Sequence, residues 1–245
     1  MISIIGSVDV IKKVFEMLKV LKLGEVEFVL KENGFEGISF DAPHITCAYI
    51  NIDSNAFDKI EGEGRVRFDI GVMSKVMTAF PYKEKVKITI GNQCTIVSLT
   101  GKKKVMRFNL LVPSGEDIVN PDKMIADVIK TTVTVDLDEL MDGIKQAMIF
   151  AENIQIQVTG NEIMIGGAGD TGSSLMEFLK NIKKQETFKS TFKGELLVNV
   201  IKAGKKISKQ GTLGIGNDAP FCLKVSSDNL LVSLYVAPIV EAESK

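Results

Sequence analysis

Apolar and polar positions along this chain switch between two periods, and the switching itself repeats. Ile2–Ile5 is a short apolar run that reads as a strand. Ile11, Val14, Phe15 and Leu18 then fall at i, i+3, i+4 and i+7, one apolar face of a helix over Val8–Val20. Lys12, Glu16 and Lys19 occupy the opposite face, with Lys13 beside them. Alternation predicts strands over Glu25–Lys31 and Phe35–Asp41, joined by the hairpin dipeptide Asn33-Gly34. The β-branched run His44–Ile52 predicts a third strand.

The same order returns three more times. Arg65–Phe68 reads as a strand, Asp69 as a helix N-cap, and Ile70–Phe80 as a helix with Met73, Val76, Met77 and Phe80 inward, stopped by Pro81. Lys85–Ile90, Thr95–Leu99 and Val105–Leu111 follow as strands, with turns at Gly91-Asn92 and at Gly101 and its lysines. In the second half, Thr131–Val135 precedes a helix started by Asp136 and Glu139, whose apolar face is Leu137, Leu140, Met141, Ile144 and Met148. Ile154–Val158, Glu162–Gly166 and Ser173–Leu179 are its strands, with a turn at Thr159–Asn161. Thr187–Phe192, a helix over Leu196–Ile207, and Thr212–Ile215, Phe221–Val225 and Leu231–Val236 complete the fourth unit. A strand–helix–strand–strand–strand unit occurring four times implies two similar α+β domains, each an antiparallel sheet layer with two helices on one side. The expected boundaries are 1–112 and 130–245. Between them, residues 113–129 read PSGEDIVNPDKMIADVI, a polar segment with two prolines and no period, expected as an extended connector. A stretch this long without regular structure is usually functional or disordered; here a function is expected.

Composition narrows the function classes. Of 245 residues, 45% are hydrophobic and 25% charged, so both halves can bury cores. No apolar run reaches the ~18 residues a membrane span needs, and the N-terminus lacks the order of a signal peptide. Cys47, Cys94 and Cys222 are odd in number and far apart; with one histidine they offer little for zinc, and a reducing, intracellular setting is expected. The net charge of −1 means that any affinity for phosphates must come from local clusters among the 30 basic residues. The helices supply such clusters: Lys12, Lys13 and Lys19; Lys75; Lys145; and Lys202, Lys205 and Lys206. Lysines on a solvated helix face are ordinary, but four equivalent helices on one side of a repeated layer would pool them into a sequence-independent phosphate-facing surface. Asp138 and Asp142 beside Lys145 weaken the third helix.

Candidate chemistry is thin. Gly167 and Gly172 in IGGAGDTGSS have the G-x4-G spacing of a phosphate loop, but Ser173-Ser174 stand where the motif needs Lys then Ser/Thr, and a strand follows instead of a helix. A glycine-rich hairpin is favoured. His44 with Cys47 three residues on could suggest a nucleophile and base, yet on one strand i and i+3 point to opposite faces. The paired carboxylates Glu61/Glu63, Glu116/Asp117 and Asp136/Asp138 sit in polar surroundings that give no acid catalyst a raised pKa. No catalytic residue, metal or cofactor is expected, and the chain reads as a non-enzyme. The last strand runs into Ala237, Pro238 and Ile239, a frayed end or one wall of an apolar pocket.

Four segments, in this order along the repeat, resemble the DNA polymerase sliding clamps of the proliferating cell nuclear antigen family of archaea and eukaryotes. They are F-D-A-P-H at Phe40–His44, V-M-S-K-V-M at Val72–Met77, G-N-D-A-P-F at Gly216–Phe221 and Y-V-A-P-I at Tyr235–Ile239. The resemblance spans the whole length and suggests an archaeal member. It implies a clamp fold: a head-to-tail trimeric ring with sheets outside, helices inside and duplex DNA through the middle. The helix lysines would line the hole, with Thr78 where many relatives carry another lysine. Subunits would join through edge strands, Lys103–Leu111 of one against Ser173–Lys180 of the next, with Val105, Phe108, Leu175 and Phe178 as apolar contacts. The implied partners are a clamp loader and a DNA polymerase, flap endonuclease and DNA ligase. The enzymes would dock short Gln/aromatic motifs in a pocket of Phe40, His44, Pro220, Tyr235 and Ala237–Ile239. The connector would be its flap, with Met124 and Ile125 facing the partner first and Val128 next. Partner residues beyond the motif would pair with the C-terminal tail by strand addition. No membrane partner is implied; the location would be cytoplasmic, on the chromosome (nuclear in a eukaryote). Two alternatives stay open: a checkpoint-type or paralogous subunit of a mixed ring and, remotely, a phosphate-loop or hydrolase enzyme built on Gly167–Ser174 or His44.

Overall fold

The computed structural model describes residues 1–91, 94–99, 104–159, 162–179 and 187–240. These fall into two compact units, Met1–Val119 with Ser226–Val232, and Asn120–Val225 with Ser233 onward. The first carries β1 (Ile2–Ser7), α1 (Asp9–Val20), β2 (Glu25–Lys31), β3 (Gly34–Phe40), β4 (Thr46–Asp53), β5 (Lys59–Glu61), β6 (Gly64–Asp69), α2 (Ile70–Thr78), β7 (Lys85–Ile90), β8 (Cys94–Leu99) and β9 (Val105–Asn109). Two antiparallel sheets run in the orders β5-β1-β7-β8-β9 and β6-β2-β3-β4. The later elements are α3 (Pro121–Ile125), β10 (Thr131–Asp136), α4 (Leu137–Ala147), β11 (Asn153–Thr159), β12 (Glu162–Gly169), β13 (Gly172–Leu179), β14 (Phe188–Lys193), α5 (Gly194–Gly204), β15 (Gln210–Ile215), β16 (Phe221–Ser227) and β17 (Leu230–Val236). Their strands run β13-β12-β11-β14 and β10-β15-β16-β17.

The repeat is therefore β1-α1-β2-β3-β4, β6-α2-β7-β8-β9, β10-α4-β11-β12-β13 and β14-α5-β15-β16-β17. Among the described residues, β5, α3 and a 3-10 turn at Ser54–Ala56 stand outside it. Each long helix exists because its apolar stripe is buried: Ile11, Val14, Phe15, Met17 and Leu18 on α1, and Leu137, Leu140, Met141 and Ile144 on α4. α1 packs against α2, and α4 against α5. Phe15, Phe28 and Phe68 meet with ring centroids 5.9–6.5 Å apart in the core of the first unit. Two helix starts are fixed by carboxylate caps. Asp69 accepts from the Val72 N–H at 2.7 Å, and Asp136 from those of Asp138 and Glu139 at 2.8 and 3.2 Å. At the Asn33-Gly34 turn, Gly34 has φ +132°, and a Cβ there would lie 2.1 Å from the Ile52 carbonyl, so only glycine fits.

Four sequence expectations shift. The connector contains a helix, α3, where no regular element was expected: five residues are too few to show a period, although Asn120 caps and Pro121 occupies the first turn. His44 precedes its strand, in a loop with φ +56°, and β4 starts at Thr46. α5 runs Gly194–Gly204, so Lys205 and Lys206 follow the helix instead of lying within it. β5 and the 3-10 turn were not foreseen, because residues 54–61 join a polar turn to a strand of three residues, too short to show alternation. The expected turns at Asn92, Gly101 and Gly160-Asn161 lie outside the described residues.

Candidate nucleic-acid interface and docking surface

The helix lysines separate into those offered to solvent and those committed to the fold. Lys12 is 6% exposed. Its Nζ donates to the Phe80 carbonyl at 2.7 Å and lies 4.0 Å over the Tyr82 ring. The Tyr82 hydroxyl in turn donates to Glu16 at 2.7 Å, which pushes that phenol up to about 12. Lys104 donates to the Ala79 carbonyl, so two ammonium groups cover the carbonyls that immediately follow α2. Lys12 thus ties α1 to the end of α2. Lys13 is half-buried, and Lys19 and Lys75 are exposed on the same helix pair. In the second unit Lys145, Lys202 and Lys206 are exposed. Lys205 is bonded to Asp138, whose carboxyl is held below its ordinary 3.8 chiefly by that hydrogen bond. The Thr78 hydroxyl donates to the Lys75 carbonyl at 2.7 Å.

The connector is strapped along its length. In the first unit Leu111 bridges to Arg67, and Arg67 reaches the Val112 carbonyl at 3.4 Å and Glu25. Arg65 holds the Glu116 carbonyl, Asp117 at 3.2 Å and Glu27 at 3.2 Å, while the Ser114 N–H donates to Glu27 at 2.8 Å. In the second unit Asn120 caps α3, and Asp122 accepts from the Tyr235 hydroxyl at 2.5 Å, pairs with Lys224 at 2.9 Å and accepts from Ser233 at 3.4 Å. Burial first, and the bond to Asp122 second, push the Tyr235 phenol above its ordinary value. Further on, Lys130 N–H donates to the Ile215 carbonyl at 2.8 Å, and Gly216 has no Cβ because one would lie 2.0 Å from the Val128 carbonyl.

This arrangement leaves Met124 72% exposed, Val128 exposed and Ile125 half-buried. Tyr235 itself is 5% exposed and its hydroxyl is engaged, so it braces the connector from beneath. Pro220 is half-buried in a loop pinned by Ser190, which donates to the Gly216 carbonyl at 3.0 Å and accepts from Ala219 N–H at 3.1 Å. Ala237 is exposed, Pro238 and Ile239 are half-buried, and Ile239 N–H donates to the Thr191 carbonyl at 2.7 Å. In the first unit, Phe40 and His44 stack with ring centroids 5.0 Å apart. Asp41 holds that loop by accepting from Ile45 and Thr46 N–H at 2.7 and 2.9 Å. Spacing alone gave no sign of the Asp122, Arg65 and Arg67 anchors.

β9 and β13 end their sheets on one side. Val105 and Leu175 are 56% and 62% exposed, whereas Phe108 is half-buried with its ring 6.4 Å from that of Phe68. Val105 and Phe108 thus point to opposite faces, as i and i+3 on a strand must. Phe178 pairs in register with Ile163. Lys103, Lys180 and the tail beyond Val240 lie outside the described residues.

The glycine-rich segment has a packing explanation. A Cβ at Gly167 would lie 2.7 Å from the Ala147 carbonyl, one at Gly169 2.0 Å from the Phe150 carbonyl, and one at Gly172 2.8 Å from the Phe150 ring. The glycines let the β12–β13 hairpin close on the turn after α4. Cys47 and Cys222 are buried, and burial pushes both thiols up to about 12. Neither is an activated nucleophile. Among the described residues no three His, Cys, Asp or Glu side chains gather to hold a metal, and no helix is long and apolar enough to cross a membrane.

Four copies of one supersecondary unit, with helices packed in pairs over antiparallel sheets, define the architecture of a DNA clamp. The family model described as "Proliferating cell nuclear antigen, N-terminal domain" matches residues 4–110. The chain is 21% identical over 243 residues to the DNA polymerase sliding clamp of Nitrosopumilus maritimus, covering 96% of both chains, and 19% identical over the same length to that of Cenarchaeum symbiosum. Solved structures agree in fold. The C-terminal region of FEN-1 bound to A. fulgidus PCNA superposes with a TM-score of 0.79 at 16% identity, covering 99% of this chain and 100% of that one. PCNA from Thermococcus kodakaraensis gives 0.79 at 18% identity over 98% and 100%, and PCNA from Entamoeba histolytica 0.81 at 16% over 98% and 99%. The match over residues 4–110, the whole-length similarity to sliding clamps and the shared fold together support a sliding clamp of the proliferating cell nuclear antigen family.

Proposed function

We propose that this chain is a DNA sliding clamp, a processivity factor that encircles duplex DNA as a trimeric ring and tethers replication and repair enzymes to it. The observation that carries this reading is the fourfold repeat, each of whose four long helices carries at least one lysine. Lys13, Lys19 and Lys75 in the first unit and Lys145, Lys202 and Lys206 in the second form the proposed DNA face, since Lys12 and Lys205 have other partners. Such side chains neutralise phosphates without reading bases, which suits a ring that must slide. The edge strands β9 and β13 are the proposed subunit seam, because a heterologous pairing that closes by rotation also removes two exposed sheet edges.

Residues 113–129 are the proposed interdomain connector, and the second unit offers a docking surface on Met124, Ile125, Val128, Pro220 and Ala237–Ile239. Apolar side chains presented by a strapped helix suit a short Gln/aromatic motif of a flap endonuclease, polymerase or ligase. The place of work is the chromosome. The function is tethering, which raises local enzyme concentration and needs no bond chemistry. Light scattering tests the assembly: the expected mass is three times that of the 26.8 kDa chain. A strict monomer at high micromolar concentration would contradict it.

A further inference from the structure

α3 is five residues long, far too short to persist unaided. What keeps it formed is visible at its second residue. Asp122 is half-buried and spends both carboxylate oxygens on the neighbouring strands. Oδ1 accepts from the Tyr235 hydroxyl at 2.5 Å, and Oδ2 pairs with Lys224 at 2.9 Å and accepts from Ser233 at 3.4 Å. Tyr235 and Ser233 are themselves buried, so the anchor points are rigid. One turn on, Ile125 leans inward while Met124 stands out, and the chain after α3 is held again at Ile215 and Gly216.

We propose that Asp122 is the positioning residue of the partner-docking surface: acting through Tyr235, Ser233 and Lys224, it holds α3 so that Met124 is presented outward before any partner arrives. This rests on the docking reading given above. A wall that is already formed spares an incoming apolar motif the cost of ordering the connector, so the latch raises affinity without touching the ligand. The tyrosine hydroxyl contributes here through the connector and does not touch the partner.

The test uses the full-length chain as Asp122→Ala, Asp122→Asn and Tyr235→Phe. Backbone hydrogen exchange over residues 120–129 is measured without ligand. Affinity is measured by calorimetry for a synthetic peptide carrying a Gln and paired aromatics. Asp122→Ala is expected to speed exchange in that segment alone and to weaken the peptide ~10-fold, the scale of lost pre-organisation. Tyr235→Phe breaks only one of the three contacts of Asp122 and should do the same to a smaller extent, and adding it to Asp122→Ala should cost little more, because the bond it removes is already gone. Asp122→Asn keeps an oxygen that can accept from Tyr235 and should recover most of the affinity, which a merely structural lesion would not. If the wild type binds the peptide and all three variants bind it equally, with exchange unchanged, the positioning role is overturned and the docking reading stands. If the wild type does not bind the peptide, the docking reading falls and takes the positioning role with it.

Discussion

Lys12→Met separates a lysine that builds the fold from one proposed to meet DNA. The ammonium of Lys12 donates to the Phe80 carbonyl at 2.7 Å and sits 4.0 Å over the Tyr82 ring. A charged hydrogen bond contributes about 1.5–3 kcal/mol and a cation–π interaction about 0.5–1 kcal/mol. Against these stands the desolvation of a nearly buried ammonium, which the substitution relieves. Methionine keeps the apolar stem but leaves the carbonyl unpaired, so the net loss should be about 1–2 kcal/mol, seen as a fall in Tm of roughly 2–8 °C. Duplex affinity and its salt dependence should not move, because the charge is not offered to solvent. Lys19→Gln should do the reverse: Tm unchanged, and the slope of log affinity against log salt reduced by ~0.9 for each phosphate no longer neutralised. Thermal melts followed by circular dichroism, with salt titrations of duplex binding on the same preparations, read both quantities. A Lys12→Met protein with unaltered Tm and a shallower salt slope would refute the reasoning and put Lys12 back on the DNA face.

Three further outcomes follow from the geometry. Gly169→Ala places a Cβ 2.0 Å from the Phe150 carbonyl and should destabilise the fold by about 1–3 kcal/mol in urea titrations; unchanged stability would remove the packing role of the glycine segment. Lys75→Gln with Lys202→Gln should weaken duplex binding and flatten its salt slope with little change in Tm, and an unaltered slope would place the DNA face elsewhere. Stability should decline above pH 9: the unfolded chain releases the Cys47 and Cys222 protons near 9.0 while the folded chain keeps them to about 12. The unfolded state then binds fewer protons, and each thiol costs on the order of 1 kcal/mol per pH unit in that window. Cys47→Ala with Cys222→Ala should lessen that decline in denaturant titrations at pH 8 and 11, and an equal slope in the variant would contradict the assignment.

The helices and most strands were legible because their burial is one-sided. Ile11, Val14, Phe15 and Leu18 announce α1, and the same logic carries α2, α4 and α5. Repetition of that plan made the architecture readable from one chain. Side-chain partners set by tertiary approach were not readable. Lys12 looks like any surface lysine at helical spacing, and only the end of α2, 68 residues away, makes it a cap. Tyr235 reads as pocket lining from the Y-V-A-P-I motif, yet its hydroxyl is aimed at Asp122, 113 residues earlier. His44 was expected in a strand because β-branched residues follow it; the Asp41 carboxylate, by taking the Ile45 and Thr46 amides, holds the loop that delays the strand. The two arginines of β6 show the same limit, since besides Glu25 and Glu27 on β2 they reach the Val112 and Glu116 carbonyls and Asp117, 45 to 52 residues on, in a segment without period.

Topological retention tests the central claim most directly. The protein is loaded by its clamp loader onto nicked circular duplex, isolated by gel filtration, and followed before and after the circle is cut once. A ring around DNA stays with the circle through a high-salt wash and is lost by sliding off the ends when the circle is opened. Release from intact and cut circles at the same rate, or loss of the protein in salt alone, would mean that it holds DNA by surface charge and does not encircle it.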